Sequence, residues 1–193
     1  MDNVLLNLRG THGSGKSYIM RNFLAMHPVQ KMRYGVLGAR LPEAYELTIK
    51  GCDRPVFVIG PYITVCGGLD CVRPYDNVME LIGKYANKGH LVFEGLLASG
   101  VYGRLGAYLE PYGKRVHLLF IDTPLKTCTA RVQSRRDERG NRVEFDDSNV
   151  RKKYNAVLSV KKRVESEKVF NSCSVSSDTA HEVMTKMLGG VIR

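Results

Sequence analysis

The chain has 193 residues, 44% hydrophobic and 25% charged, which is enough for one good core and excludes global disorder. Lys and Arg number 29 against 19 Asp and Glu; the net charge of +10 favours a polyanionic partner or a phosphorylated substrate. No run of about 18 apolar residues occurs and the start, Met1-Asp2-Asn3-Val4, is not that of a signal peptide, so neither a membrane nor secretion is expected and a cytoplasmic protein is.

Val4 to Leu8 reads as a buried strand running into a glycine-rich loop. Lys16 to Met26 reads as a helix stopped by Pro28. Arg33 to Leu37 and Ala44 to Ile49 are two short strand candidates, and Val56 to Ile59 is a buried strand. A loop from Gly60 to Pro74 follows. Val78, Leu81, Ile82 and Tyr85 place a helix over Asn77 to Ala86. His90 to Glu94 is a strand ending in a carboxylate, Val101 to Leu109 a helix, and Val116 to Ile121 a further strand. A helix begins near Pro124 with Thr123 as its N-cap. Asp147 to about Glu167 is a long helix, Val169 to Val175 a last strand, and Thr179 to Leu188 a last helix. The alternation predicts an α/β fold, a doubly wound and mostly parallel sheet with helices on both faces, in a single domain. The five cysteines are irregularly spaced; Cys66 and Cys71 form the only close pair, and all read as ordinary thiols.

Gly10-Thr11-His12-Gly13-Ser14-Gly15-Lys16-Ser17 fits G-x-x-x-x-G-K-[ST] at every fixed position, between a strand and a helix. Such a loop turns its amide groups toward phosphate oxygens, and the following helix adds partial positive charge. Lys16 would reach the outer phosphates and Ser17 would hold Mg²⁺; His12 is a spacer. A nucleoside triphosphate with Mg²⁺, taken as ATP, is the expected cofactor pair, and a P-loop NTPase the expected fold.

Three features favour a small kinase over a switch or motor. The chain shows no clear switch-type Asp-x-x-Gly or Asn-Lys-x-Asp signature. Phe120 to Pro124 leads into a segment with Arg131, Arg135 and Arg136, spaced to share a helix face and able to clamp a phosphoryl group. It resembles the lid of nucleoside and nucleotide kinases. Two carboxylates follow buried strands: Glu94 directly, and Asp70 in the loop after Val56 to Ile59. Asp70 is assigned as the base, and Glu94 to the metal or the acceptor; the two roles could be exchanged.

Leu8-Arg9-Gly10-Thr11, Gly60-Pro61-Tyr62, Cys66-Gly67-Gly68-Leu69-Asp70 and Phe93-Glu94-Gly95 together resemble a family of phage kinases that phosphorylate 5-hydroxymethyluracil in DNA, an intermediate step toward hypermodified thymidines. The resemblance implies a DNA partner, and the host cytoplasm as location if the chain is phage-encoded. The charge distribution agrees: residues 131 to 163 hold 11 Lys and Arg against 5 acids. Arg151 and Lys162, and Lys152 and Arg163, repeat every eleven residues, which returns to one helix face and makes a stripe for a DNA strand. A base in a duplex would have to be flipped out, with Tyr62, Tyr75 or Tyr102 as stacking candidates. The competing readings are a kinase of a free nucleoside, deoxynucleotide or small metabolite, a polynucleotide end kinase, and a non-kinase nucleotide-binding or DNA-binding ATPase.

Overall fold

A strand buried along its whole length must be covered on both faces, and Leu5–Arg9 (β1) is such a strand. In the computed structural model, which describes residues 2–38, 40–63, 67–95, 102–141 and 143–189, β1 lies inside a seven-stranded sheet ordered β2-β3-β4-β5-β1-β6-β7. Strands β4 (Val56–Ile59), β5 (His90–Glu94), β1, β6 (Val116–Ile121) and β7 (Asn171–Val175) run parallel. Strands β2 (Val29–Arg33) and β3 (Ala44–Leu47) close one edge antiparallel. The fold is thus mixed α/β, with a mostly parallel sheet as expected.

Six α-helices are described: α1 (Lys16–Met26), α2 (Tyr75–Ala86), α3 (Tyr102–Leu109), α4 (Leu125–Glu138), α5 (Ser148–Glu167) and α6 (Ala180–Met187). They divide between the two faces. On one, Leu81 and Ile82 of α2, Leu105 of α3, and Val157, Val160 and Val164 of α5 pack on Leu5, Phe57, Leu91 and Leu118. On the other, Ile19, Met20 and Phe23 of α1 and Met184 of α6 pack on Leu6, Leu8, Val58, Val92 and Leu119. Each such fully buried aliphatic or aromatic side chain contributes roughly 1.5–3 kcal/mol. Among the described residues no helix is long and apolar enough to cross a membrane.

Three expectations are corrected. The first edge strand is Val29–Arg33, not Arg33 to Leu37, and the second is Ala44–Leu47. The former is exposed nearly throughout, so no apolar run marks it, and a turn closed by Gly38 N–H on the Gly35 carbonyl follows it. Thr123 does not cap α4: Pro124 precedes the helix, and the Thr123 hydroxyl instead donates to the Ser14 carbonyl at 3.0 Å. The end of β6 is thereby tied to the loop after β1. Helix α2 begins two residues earlier than expected, at Tyr75. Cys52, Cys71, Cys128 and Cys173 are free thiols; Cys66 and Val101 lie outside the described residues.

Candidate active site

Because five strands are parallel, the loops after their carboxyl ends share one edge of the sheet. The loop 10–15 follows the central one of these five strands, with the ends of β5 and β4 to one side and those of β6 and β7 to the other. A cleft of about 810 Å³ opens there, within the range of small-molecule sites. Thr11, His12, Gly13, Gly15, Lys16 and Ser17 form its floor, Asp70 and Glu94 one wall, and Arg131 and Arg135 the other.

The loop is held from three directions. Ser14 Oγ donates to the Thr11 carbonyl (2.8 Å), Thr11 Oγ1 to the Val150 carbonyl of α5 (3.3 Å), and Thr123 to Ser14. Gly13 has φ +75, and a Cβ there would lie 2.3 Å from the Cys128 carbonyl oxygen of α4, so only glycine fits. Lys16 is buried, and its Nζ donates to the carbonyls of Gly10 (2.8 Å) and Thr11 (3.1 Å). Burial lowers its pKa, opposed by Glu94 and Asp70. Burial likewise lowers the His12 pKa, with Lys16 acting in the same direction.

Ser17 Oγ donates to Glu94 Oε1 at 2.9 Å, which joins the two residues assigned to the metal. The cleft therefore offers a cation two adjacent hard oxygen donors. Mg²⁺ is commonly held in this way, completing its shell with phosphate and water. Glu94 is almost fully buried, and that burial pushes its pKa up to about 7, against the pull of Lys16 and the Ser17 hydrogen bond. Asp70 sits in a 3-10 turn, Gly68–Cys71. A methyl group placed on Gly95 would lie 3.3 Å from Asp70 Oδ1, so this carboxylate reaches the end of β5.

The arginines separate. Arg131 and Arg135 line the cleft, and Arg131 Nη1 donates to the Gly13 carbonyl at 3.3 Å. Arg136 turns away, its guanidinium 5.5 Å from the Phe145 ring centroid, and is not part of the cleft wall. The basic stripe is also uneven. Arg151 pairs with Asp147 (2.9 Å) and Arg163 with Glu167 (2.6 Å), whereas Lys152 and Lys162 are simply exposed. None of the three candidate stacking tyrosines lines the cleft. Tyr62 is buried, Tyr75 lies under the Arg104 guanidinium (5.4 Å), and the Tyr102 ring has the guanidinium groups of Arg163 (4.8 Å) and Arg9 (5.9 Å) near it. The sequence reading missed Tyr18 and Arg21 on α1, and Ser177 and Asp178 after β7, all of which line the cleft. Each follows the end of a parallel strand or sits one turn past the glycine loop, and that position was the available signal.

The Glu94 pKa gives a pH prediction with two opposite signs. A carboxyl whose folded pKa is raised favours folding at low pH and loses that contribution as pH climbs from its usual value near 4.5 to about 7. Cation binding requires the ionised form and strengthens over the same rise. From pH 6 to 8, Mg²⁺ affinity measured by titration calorimetry should increase, while the melting temperature without Mg²⁺ should fall. Glu94→Gln should remove both trends, and a Mg²⁺ affinity flat across this range would refute the burial argument.

A family model described as 5-hmdU DNA kinase matches residues 4–184. The 5-hmdU DNA kinase of Pseudomonas phage PaMx11 is 35% identical over 133 residues, 68% of this chain and 69% of the relative. That of Delftia phage PhiW-14 is 31% identical over 176 residues, 81% of this chain and 62% of the relative. That of Pseudomonas phage M6 is 28% identical over 138 residues, 67% of this chain and 71% of the relative. With a family match from residue 4 to residue 184 and a relative 35% identical over 68% of this chain, the chain belongs to the 5-hmdU DNA kinase family.

Proposed function

We propose that this protein is a P-loop kinase that transfers the γ-phosphoryl group of ATP to the hydroxymethyl oxygen of 5-hydroxymethyluracil in DNA. The observation that carries the reading is the joining, in one cleft, of the Lys16 loop, the Ser17–Glu94 pair, Asp70, and Arg131 with Arg135. The loop amides and Lys16 grip the phosphates, and Ser17 with Glu94 would hold Mg²⁺, which neutralises phosphate charge when bound. Arg131 and Arg135 face charge that spreads over the transferred group in the transition state. Asp70 accepts the hydroxyl proton as the new P–O bond forms and the bond to the β-phosphate oxygen breaks, leaving ADP. The Ser17 hydrogen bond favours Glu94 for the metal and leaves Asp70 as the base.

Nucleosides digested from 5-hydroxymethyluracil DNA after incubation with the protein, ATP and Mg²⁺ should contain the phosphorylated base by mass analysis. Label found only at 5′ ends, only on free nucleosides, or only as inorganic phosphate would overturn the reading in favour of an end kinase, a monomer kinase or an ATPase.

Lys152 and Lys162 form the outer DNA contact, since Arg151 and Arg163 are engaged by acids on their own helix. Replacing both lysines by glutamine should weaken DNA binding and lower the slope of log K against log salt by about 1–2. An unchanged slope would remove them from the interface.

A further inference from the structure

The loop after β1 separates the cleft into two halves. The side under α4 and the loop after β7 carries Arg131, Arg135 and Asp178; the side beyond β5 carries Glu94 and Asp70. A phosphoryl donor and a hydroxyl acceptor must approach the loop from opposite directions, because the attacking and leaving oxygens lie roughly in line. With the arginines on the first side and the base on the second, the acceptor enters beside Asp70. Helix α1 packs against both β5 and α6, and its Arg21 is close enough to Glu94 on the second side to act on that carboxyl. Its buried positions, Ile19, Met20 and Phe23, face the sheet. Tyr18 is on the opposite face, 59% exposed, and forms part of the cleft wall with Arg21.

Tyr18 and Arg21 are three residues apart and so neighbours on the helix surface. The Tyr18 ring packs in neither core cluster. An exposed aromatic at the rim of a cleft, followed one turn later by a guanidinium, is the combination that holds single nucleotides: a flat apolar surface for a base and a cation for the backbone.

We propose that Tyr18 stacks on the 5-hydroxymethyluracil base, or on the base next to it, and that Arg21 meets the adjoining DNA phosphate, so that the two position the hydroxymethyl group at Asp70. This rests on the acceptor being a base in DNA, as proposed above.

The test is steady-state kinetics on a single-stranded oligonucleotide carrying one 5-hydroxymethyluracil, with DNA and ATP varied separately. Tyr18→Ala should raise KM for the oligonucleotide about tenfold, with KM for ATP within twofold of the parent, and Tyr18→Phe should restore the parent value because it keeps the ring. Arg21→Gln should raise KM for the oligonucleotide and flatten its dependence on salt. Unchanged KM for DNA in Tyr18→Ala, or an equal rise in KM for ATP, would overturn the proposal. So would failure of Tyr18→Phe to restore it. A parent protein that phosphorylates neither this oligonucleotide nor its duplex would instead overturn the acceptor assignment, so the two failures are distinguishable.

Discussion

Lys16→Ala is expected to lower phosphoryl transfer to 5-hydroxymethyluracil DNA by at least about 10³-fold while the protein stays folded. The large kinetic effect follows from placement. Lys16 is 7% exposed, its Nζ is held over the Gly10 and Thr11 carbonyls, and Glu94 and Asp70 are close enough to act on its charge. A triphosphate in the loop would bring far more negative charge to this ammonium than the two carbonyls do. The small effect on folding follows from the same burial, which disfavours the charged amine and so offsets much of what its hydrogen bonds contribute. Lys16→Arg should fail nearly as badly, because a planar guanidinium does not fit where a compact ammonium bonds two adjacent carbonyls. Single-turnover transfer and thermal melting, measured together, check this. Transfer within tenfold of the parent in Lys16→Ala, with normal melting, would mean that the loop is not the phosphate site.

The loop could be read from sequence because its chemistry needs contiguous residues: eight positions fix both the backbone path and the lysine. Glu94 was legible for a related reason, as it ends an apolar run that had to be a buried strand, and parallel strands deliver their ends to the ligand edge. Its pKa near 7 was not legible, since it arises from burial among residues distant in the chain. Arg131, Arg135 and Arg136 mark the limit of helix-face reasoning. Spacings of four and five residues both fall near one face, yet Arg135 enters the cleft and Arg136 turns to Phe145. Strand β2 escaped because an exposed edge strand has no core to write a pattern into its sequence. The tyrosines could not be sorted from sequence because an aromatic in a loop or at a helix start looks the same whether the core covers it or not. Tyr62 and Tyr102 are covered, and Tyr18 is open.

The second large effect belongs to a residue whose importance is purely spatial. Gly68 precedes Asp70 by two residues and has φ +77, and a Cβ on it would lie 2.6 Å from Glu94 Oε1 and 2.8 Å from the Glu94 carbonyl oxygen. Neither neighbour can yield cheaply. The carboxylate is held by Ser17, and the carbonyl belongs to a central strand. In Gly68→Ala the turn must therefore move, carrying Asp70 with it, or Glu94 must leave Ser17. Displacement of about 1 Å at reacting groups costs on the order of 10²-fold in rate, and both carboxylates are exposed to it. The expected result is a fall in transfer of 10²-fold or more by that reasoning, with a raised Mg²⁺ requirement. Backbone strain and crowding add a stability loss of roughly 2–5 kcal/mol. Gly113→Ala supplies the comparison: it also has positive φ (+51), but an added Cβ meets nothing within 4 Å and the residue is not part of the cleft wall. It should lose about 1–3 kcal/mol from strain alone and keep its activity. Activity in Gly68→Ala as high as in Gly113→Ala would show that the close approach of the two carboxylate-bearing segments does not govern the chemistry, because strain is common to both variants and the contact with Glu94 is not.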